Sequence, residues 1–163
     1  MQEAILKRRS IREFLNREIP RGALEKLVEA ARHAPTARNE QPWEFVVITG
    51  QDKKRQIAKI VSPNGAFIAD CPAVIAVFCL ESKYYLEDGC AATENILLSA
   101  ADSGIGSCWV AGDKKPYCEE LKRLLGAPEK YKLVSIIALG YPKNSPKIIP
   151  KRTLEEILHW ENF

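Results

Sequence analysis

Residues 85–112, YLEDGCAATENILLSAADSGIGSCWVAG, decide how this chain is read. Between Cys90 and Ala101 only Glu94 is charged, and Ala91, Ala92, Ser99, Ala100 and Ala101 keep the side chains small. The spacing predicts a helix over 85–103 that is apolar nearly all round. Such a helix has to be covered on all sides, and a short chain has little to cover it with. A central helix shared with a second copy of the chain is therefore expected in preference to a plain core helix. Beyond Gly104, Ile105 to Val110 reads as a strand leaving into Ala111-Gly112, a turn whose backbone N–H groups can approach a flat ligand closely.

Working outward, WEFVVIT (43–49), AVIAVFCL (73–80) and LVSIIALG (133–140) read as three more strands. An opening helix is expected around 2–14. A second helix has Pro20 in its first turn and Leu24, Leu27, Val28 and Ala31 as its apolar stripe. It ends before Pro35, and residues 34–42 (APTARNEQP) have loop chemistry. Helices follow over 52–61 and from Pro116 to Gly126, the latter closed by the glycine and by Pro128. Thr153 and Glu156 form a capping box for a last short helix. Strands alternating with helices suggest, on pattern alone, a parallel doubly wound sheet. No Gly-x-Gly-x-x-Gly follows a strand, however, and no Gly-Lys-Ser/Thr phosphate loop is present.

Composition narrows the function classes. The chain has 163 residues, 46% hydrophobic and 28% charged, the mixture of a soluble globular protein. A single domain over residues 1–163 is expected, without disorder or a membrane span. Its opening lacks a basic-then-apolar signal, so a cytoplasmic location is expected. Five cysteines without a Cys-x-x-Cys, and two distant histidines (His33, His159), argue against zinc. No hydrolytic motif occurs, and a chain without a nucleophile or tuned acid is an enzyme only if a cofactor carries the reaction. The net charge of +3 defines no partner, and no basic motif is interleaved with aromatics, so nucleic acid is not expected. Lys7, Arg8, Arg9, Arg12 and Arg17 crowd one end, and Lys143, Lys147, Lys151 and Arg152 the other. Each cluster is either a solvated face or half of one anion site.

Three segments carry chemistry. Arg8-Arg9-Ser10-Ile11-Arg12 spaces Arg forks and a hydroxyl to hold a phosphate or a carbonyl-rich ring edge. The proline-bracketed 35–42 loop offers amide side chains, and 104–112 ends in the glycine turn. With RRSIREF, APTARNEQPWEFVVI, ENILLSAADSGIGSCWVAGD, IIALGYP and KRTLEEILHWENF in that order, the chain resembles the flavin-dependent nitroreductase family along nearly its whole length. The resemblance implies an α+β fold in place of the parallel sheet: a mainly antiparallel four-stranded central sheet flanked by helices. It also implies bound FMN and a homodimer with its active sites at the interface and a swapped C-terminal segment.

The site residues follow from the same resemblance. Arg8, Arg9, Ser10 and Arg12 would grip the FMN phosphate, ribityl chain and pyrimidine edge, with Lys151 and Arg152 at the phosphate. Pro35, Thr36, Ala37, Asn39 and Gln41 would reach the flavin from the other subunit. Ala111 and Gly112 would present backbone N–H to the N5 region, and Asn64 would lie on the pyrimidine side. No side chain is expected to be catalytic, because the flavin carries the chemistry, and no metal is expected. The implied reaction is ping-pong hydride transfer from NADH or NADPH through flavin N5 to nitroaromatics, quinones or similar small acceptors. The alternative is a flavin-binding carrier or redox sensor of the same fold. The chain is short for the family, with the lid segments reduced to 62–72 and 80–85, so an open pocket is expected. Tyr84, Tyr85 and Phe67 are candidates to line it.

Overall fold

Ala73–Leu80 (β2), apolar throughout, and Tyr131–Gly140 (β4), apolar but for Lys132 and Ser135 after its opening tyrosine, form the middle of a four-stranded sheet. The computed structural model of the chain describes residues 2–146 and 149–163. The sheet has the order β1-β2-β4-β3, with β1 at Trp43–Ile48 and β3 at Gly106–Ala111. All three strand pairings are antiparallel, which corrects the parallel sheet suggested by pattern and agrees with the fold the resemblance implied. The reason lies in what covers the sheet. One face packs on α2 (Arg21–Arg32) and α4 (Tyr85–Asp102), through Ile75, Val77, Ile137 and Leu139. The other packs on α3 (Gln51–Ile60) and α5 (Cys118–Leu125), through Val74, Ala76, Phe78 and Ile136. With both faces dry, the central strands lose the polar–apolar alternation of a half-wet antiparallel sheet and imitate a parallel one.

The first helix, α1, spans only Gln2–Lys7 rather than reaching residue 14. The basic segment after it is extended and tied to the sheet end. Ser10 bridges Ser107 in parallel and Phe14 bridges Pro142 antiparallel. Ile11 N–H donates to the Ser107 carbonyl at 2.9 Å and Leu15 N–H to that of Tyr141 at 2.8 Å. A Cβ on Gly106 would lie 2.9 Å from Ile11 Cγ1, so the glycine is what admits the segment. The last predicted helix does not form. Thr153 N–H donates to Glu156 Oε2 at 2.8 Å, the reciprocal half of a capping box, but only a turn follows and residues 151–163 are exposed throughout.

A β-bulge in β4 shapes the rest. Val77 pairs with Ser135 and Phe78 with Leu133, so Val134 is the extra residue. Val134 packs into the α4-side core, and the Ser135 hydroxyl lies 2.7 Å from that of Thr93 on α4. The helix can approach because Gly89 faces the bulge: a Cβ there would sit 2.6 Å from Val134 Cγ2 and 2.9 Å from Cys79 Sγ. Within a single chain α4 buries Gly89, Ala92, Thr93, Ile96, Leu97 and Ala100, while Ala91, Glu94, Leu98 and Ala101 stay half-buried. No helix among the described residues is long and apolar enough to cross a membrane. Gly89→Ala is expected to destabilise the protein by about 1–3 kcal/mol through overpacking, measured as a fall in the denaturant midpoint at unchanged slope.

Candidate functional site

The basic segment places its side chains around one cleft of about 520 Å³, lined by Arg8, Arg9, Ser10, Arg12 and, from the other end of the chain, Lys151. Arg8 leaves α1 and meets Glu94 of α4, Nε to Oε1 at 3.5 Å. Arg9 turns back, donating from Nη1 to the Leu6 and Arg8 carbonyls at 2.7 Å each, and so closes the end of α1. The Arg12 guanidinium lies 5.9 Å from the Phe67 ring centre, which brings the Ala66–Asp70 3-10 turn beside the cleft. Glu13 also lines the cleft, but its Oε2 accepts from Asn144 Nδ2 at 2.8 Å. The two basic ends thus converge through Lys151. Arg152 does not line the cleft; its guanidinium donates to the Glu156 carbonyl. Lys147 lies outside the described residues.

Beneath this segment the thiol of Cys108 is buried, which pushes its pKa up; the Arg12 charge, a hydrogen bond with Ser10 and the Arg8 charge oppose the shift. It remains an inert, protonated side chain of the kind its apolar surroundings predict.

At the exit of β3 the bulge decides which residue is allowed. A Cβ on Gly112 would lie 2.5 Å from the Val134 carbonyl oxygen, so glycine alone lets the backbone leave the strand there. Asp113 N–H then donates to that same carbonyl at 3.2 Å. Asp113 is held from the other side by Tyr85, whose hydroxyl donates to its Oδ1 at 2.7 Å. This pair was not legible in the sequence, since 28 residues separate its members and nothing in the spacing joins them. The bond to Asp113, followed by desolvation, pushes the Tyr85 phenol up to about 12.

The 35–41 loop is built differently. It holds a short 3-10 turn, Ala37–Asn39, and three non-glycine residues with positive φ: Arg38 at 56°, Asn39 at 58° and Gln41 at 48°. Left-handed backbone at such residues is costly and gathers at ligand clamps. Thr36 Oγ1 accepts from Gln41 N–H at 3.3 Å, and Ala37 N–H donates to Asp88 Oδ1 of α4 at 3.2 Å. Neither Pro35, Thr36, Ala37, Asn39 nor Gln41 lines the arginine cleft of its own chain. Asn64 is exposed in the turn before Gly65, which packs on Val61 and on Val110 of β3. No group of three or more metal-ligating side chains occurs among the described residues.

The antiparallel sheet thus carries a donor-lined cleft beside β3 and a glycine exit at that strand's end. The chain belongs to the Nitroreductase family, whose model matches residues 5–78 and 63–141. It is 38% identical over 148 residues to a protein of Archaeoglobus fulgidus with the provisional name NADH dehydrogenase/NAD(P)H nitroreductase, covering 86% of this chain and 84% of that one. A relative of the same provisional name in Methanothermobacter thermautotrophicus is 36% identical over 150 residues, covering 88% and 78%. The structure described as an FMN-dependent nitroreductase from Clostridium difficile superposes with a TM-score of 0.92 at 27% identity, covering all of both chains.

The Tyr85–Asp113 bond sets a pH expectation. A phenol whose folded pKa is raised contributes stability that is complete below its unfolded value and is lost as pH rises toward the folded one. The stability contributed by Tyr85 is therefore lost between the ordinary tyrosine range and about 12. In an alkaline absorbance titration the Tyr85 phenolate is expected to form late. Tyr85→Phe is expected to remove one phenolate from the late part of the curve, to which the raised Tyr117 and Tyr131 also contribute.

Proposed function

We propose that this chain is an NAD(P)H-dependent oxidoreductase that works with bound FMN and reduces nitroaromatics, quinones or similar small acceptors in alternating half-reactions. The observation that carries the reading is the convergence of Arg8, Arg9, Ser10, Arg12 and Lys151 on one cleft in a member of this family.

The residues present fit the cofactor. Three guanidinium groups, one ammonium and a hydroxyl form a donor-rich set suited to a phosphate. The one acid among them, Glu13, is engaged by Asn144. Gly112 lets the backbone leave β3 close against β4, since a Cβ there would lie 2.5 Å from the Val134 carbonyl oxygen. When bound, FMN supplies the hydride-accepting and hydride-donating chemistry that no side chain here provides. Arg8 and Arg12 would hold positive potential against the ring's pyrimidine edge, favouring negative charge there. Lys151, Ser10 and Arg9 would orient the phosphate end, with Arg152 released from the Glu156 carbonyl to join them. The Ala111 and Gly112 backbone would fix the ring's central edge. Asn64, next to the Phe67 turn, would serve the pyrimidine side. Pro35, Thr36, Ala37, Asn39 and Gln41, which do not line the cleft of their own chain, would come from the second subunit, as the family resemblance implies.

A homodimer with an exchanged C-terminal arm belongs to the same proposal. Supporting it, Leu154, Ile157 and Leu158 are all exposed, Trp160 is 80% exposed and Phe163 fully so. The half-buried small-residue face of α4 and the unpaired outer edge of β1 give such an arm and such a partner somewhere to go. A groove of about 960 Å³ runs beside that edge, between α2 and β1. The links 61–72 and 81–84 are turns and one 3-10 segment, which favours an open pocket and a broad range of small acceptors.

The deciding experiment is the visible absorption of the purified protein, before and after anaerobic NADH or NADPH. A flavin spectrum that bleaches and returns on adding a nitroaromatic or quinone is expected; flavin that binds but never bleaches would refute turnover. Arg12→Ala is expected to weaken FMN by about 1.5–3 kcal/mol, roughly ten- to hundredfold in Kd, in a fluorescence titration. Deleting residues 153–163 is expected to convert the dimer to monomer in sedimentation and to release FMN with it.

A further inference from the structure

Asp88 stands out as a charged side chain in the wrong place. It lies in the first turn of α4, is 5% exposed, and among the described residues belongs to neither the arginine cleft nor an ion pair. Its Oδ1 accepts from Ala37 N–H at 3.2 Å, and its Oδ2 is buried with no hydrogen-bond partner. Burying a carboxylate is expensive, and leaving one oxygen unsatisfied adds to the cost. An apolar side chain would fill the position at less cost, so the carboxylate has a use that packing does not explain.

The use is visible in how the 36–41 loop is capped. Thr36 occupies the N-cap position of the Ala37–Asn39 turn, where a threonine hydroxyl ordinarily accepts an N–H of the following turn. Here that hydroxyl is taken by Gln41 N–H, 3.3 Å away, and makes no cap bond. The N–H of Ala37, the first residue of the turn, has no acceptor within it and is satisfied from 51 residues away, by Asp88. Immediately after it come Arg38 and Asn39 and then Gln41, the left-handed residues of the loop. A charged acceptor makes a stronger bond than a neutral one, and strained backbone persists only where its surroundings over-determine it. Thr36 closes the loop on itself, while Asp88 anchors it to α4.

We propose that Asp88 is a positioning residue that holds the 36–41 loop in its left-handed conformation, and so sets how that loop meets the cofactor of the active site. The proposal rests on the reading that this loop reaches FMN. Asp88 touches the loop and not the reacting atoms. Its effect is therefore expected on loop order and cofactor affinity, not on the sheet.

The test compares Asp88→Ala with Asp88→Asn in the full-length protein, by hydrogen–deuterium exchange and by fluorescence titration of FMN. Asp88→Ala is expected to raise exchange in the peptide covering 35–42 and to raise the FMN Kd, each by roughly tenfold or more, the loss of one charge-assisted bond. Exchange in β2 and β4 is expected to stay as in wild type. Asp88→Asn retains an oxygen that can accept Ala37 N–H, and is expected to stay within about threefold of wild type in both readouts. Unchanged loop exchange and unchanged Kd in Asp88→Ala would overturn the proposal, as would exchange rising equally through α4 and the sheet, the mark of a purely structural residue. An Ala37 amide that exchanges freely in wild type would overturn it without any variant. A wild-type protein that binds no FMN would instead refute the cofactor reading, while the exchange arm would still report whether Asp88 holds the loop.

Discussion

The closeness of α4 to the bulge in β4 is the constraint on which the rest of the structure depends. Val134 is the extra residue of that bulge, and its side chain takes the space that a Cβ at Gly89 would need. The same bulge turns the Val134 carbonyl toward β3, where it excludes a side chain at Gly112 and receives Asp113 N–H. Thr93 and Ser135 satisfy each other across the contact, so no hydroxyl is left unpaired in that part of the core. A bulge bends the strand that carries it, and here it bends β4 beside the glycine exit of its neighbour β3.

Because α4 is fixed so closely, it can serve as the rail on which the functional segments are hung. Tyr85 holds Asp113 beyond the β3 exit, Asp88 holds Ala37 in the amide-rich loop, and Glu94 meets Arg8. Asn95 donates to the Ala30 carbonyl near the end of α2, steadying the helix that leads into that loop. Four polar contacts on one mostly apolar helix reach three separate stretches of chain. The isolated charge at Glu94, conspicuous in the sequence, thus has a partner among the arginines of the cleft.

Charged groups elsewhere show what distinguishes this cleft. Lys54 is 5% exposed, but its ammonium donates to the Cys71 and Pro72 carbonyls at 2.6 and 3.2 Å. Lys122 is likewise buried and donates to the Glu129 carbonyl and to Glu119. Both ammonium groups are satisfied by the protein itself, which makes them structural. Around the cleft Arg8 meets Glu94 and Arg9 donates to two carbonyls, while Arg12 has a long contact, 3.5 Å, to the Ser10 carbonyl and lies over the Phe67 ring. Positive charge gathered in one cleft raises the local potential felt by an anion.

Much of this was legible in the order of residues. The extents of β2 and α4, the end of α5 at Gly126, and the RRSIREF and APTARNEQPWEFVVI segments follow from local periodicity, end signals and motif, because each depends on neighbours a few residues away. Strand direction did not follow, since helices on both faces of the sheet erase the alternation that would have marked it antiparallel. The shortened α1 and the missing last helix also escaped. The extended residues 8–15 bond to Ser107 and Tyr141, and residues 151–163 stay exposed, without a buried face to hold a helix. Whether the two basic ends meet was open in the sequence; in the fold Lys151 lines the cleft of the arginines and Arg152 does not. The bonds from Asp113 to Tyr85 and from Ala37 to Asp88 were not visible at all. Local chemistry is written in local sequence, but a contact spanning tens of residues exists only once the sheet and α4 have brought its two ends together.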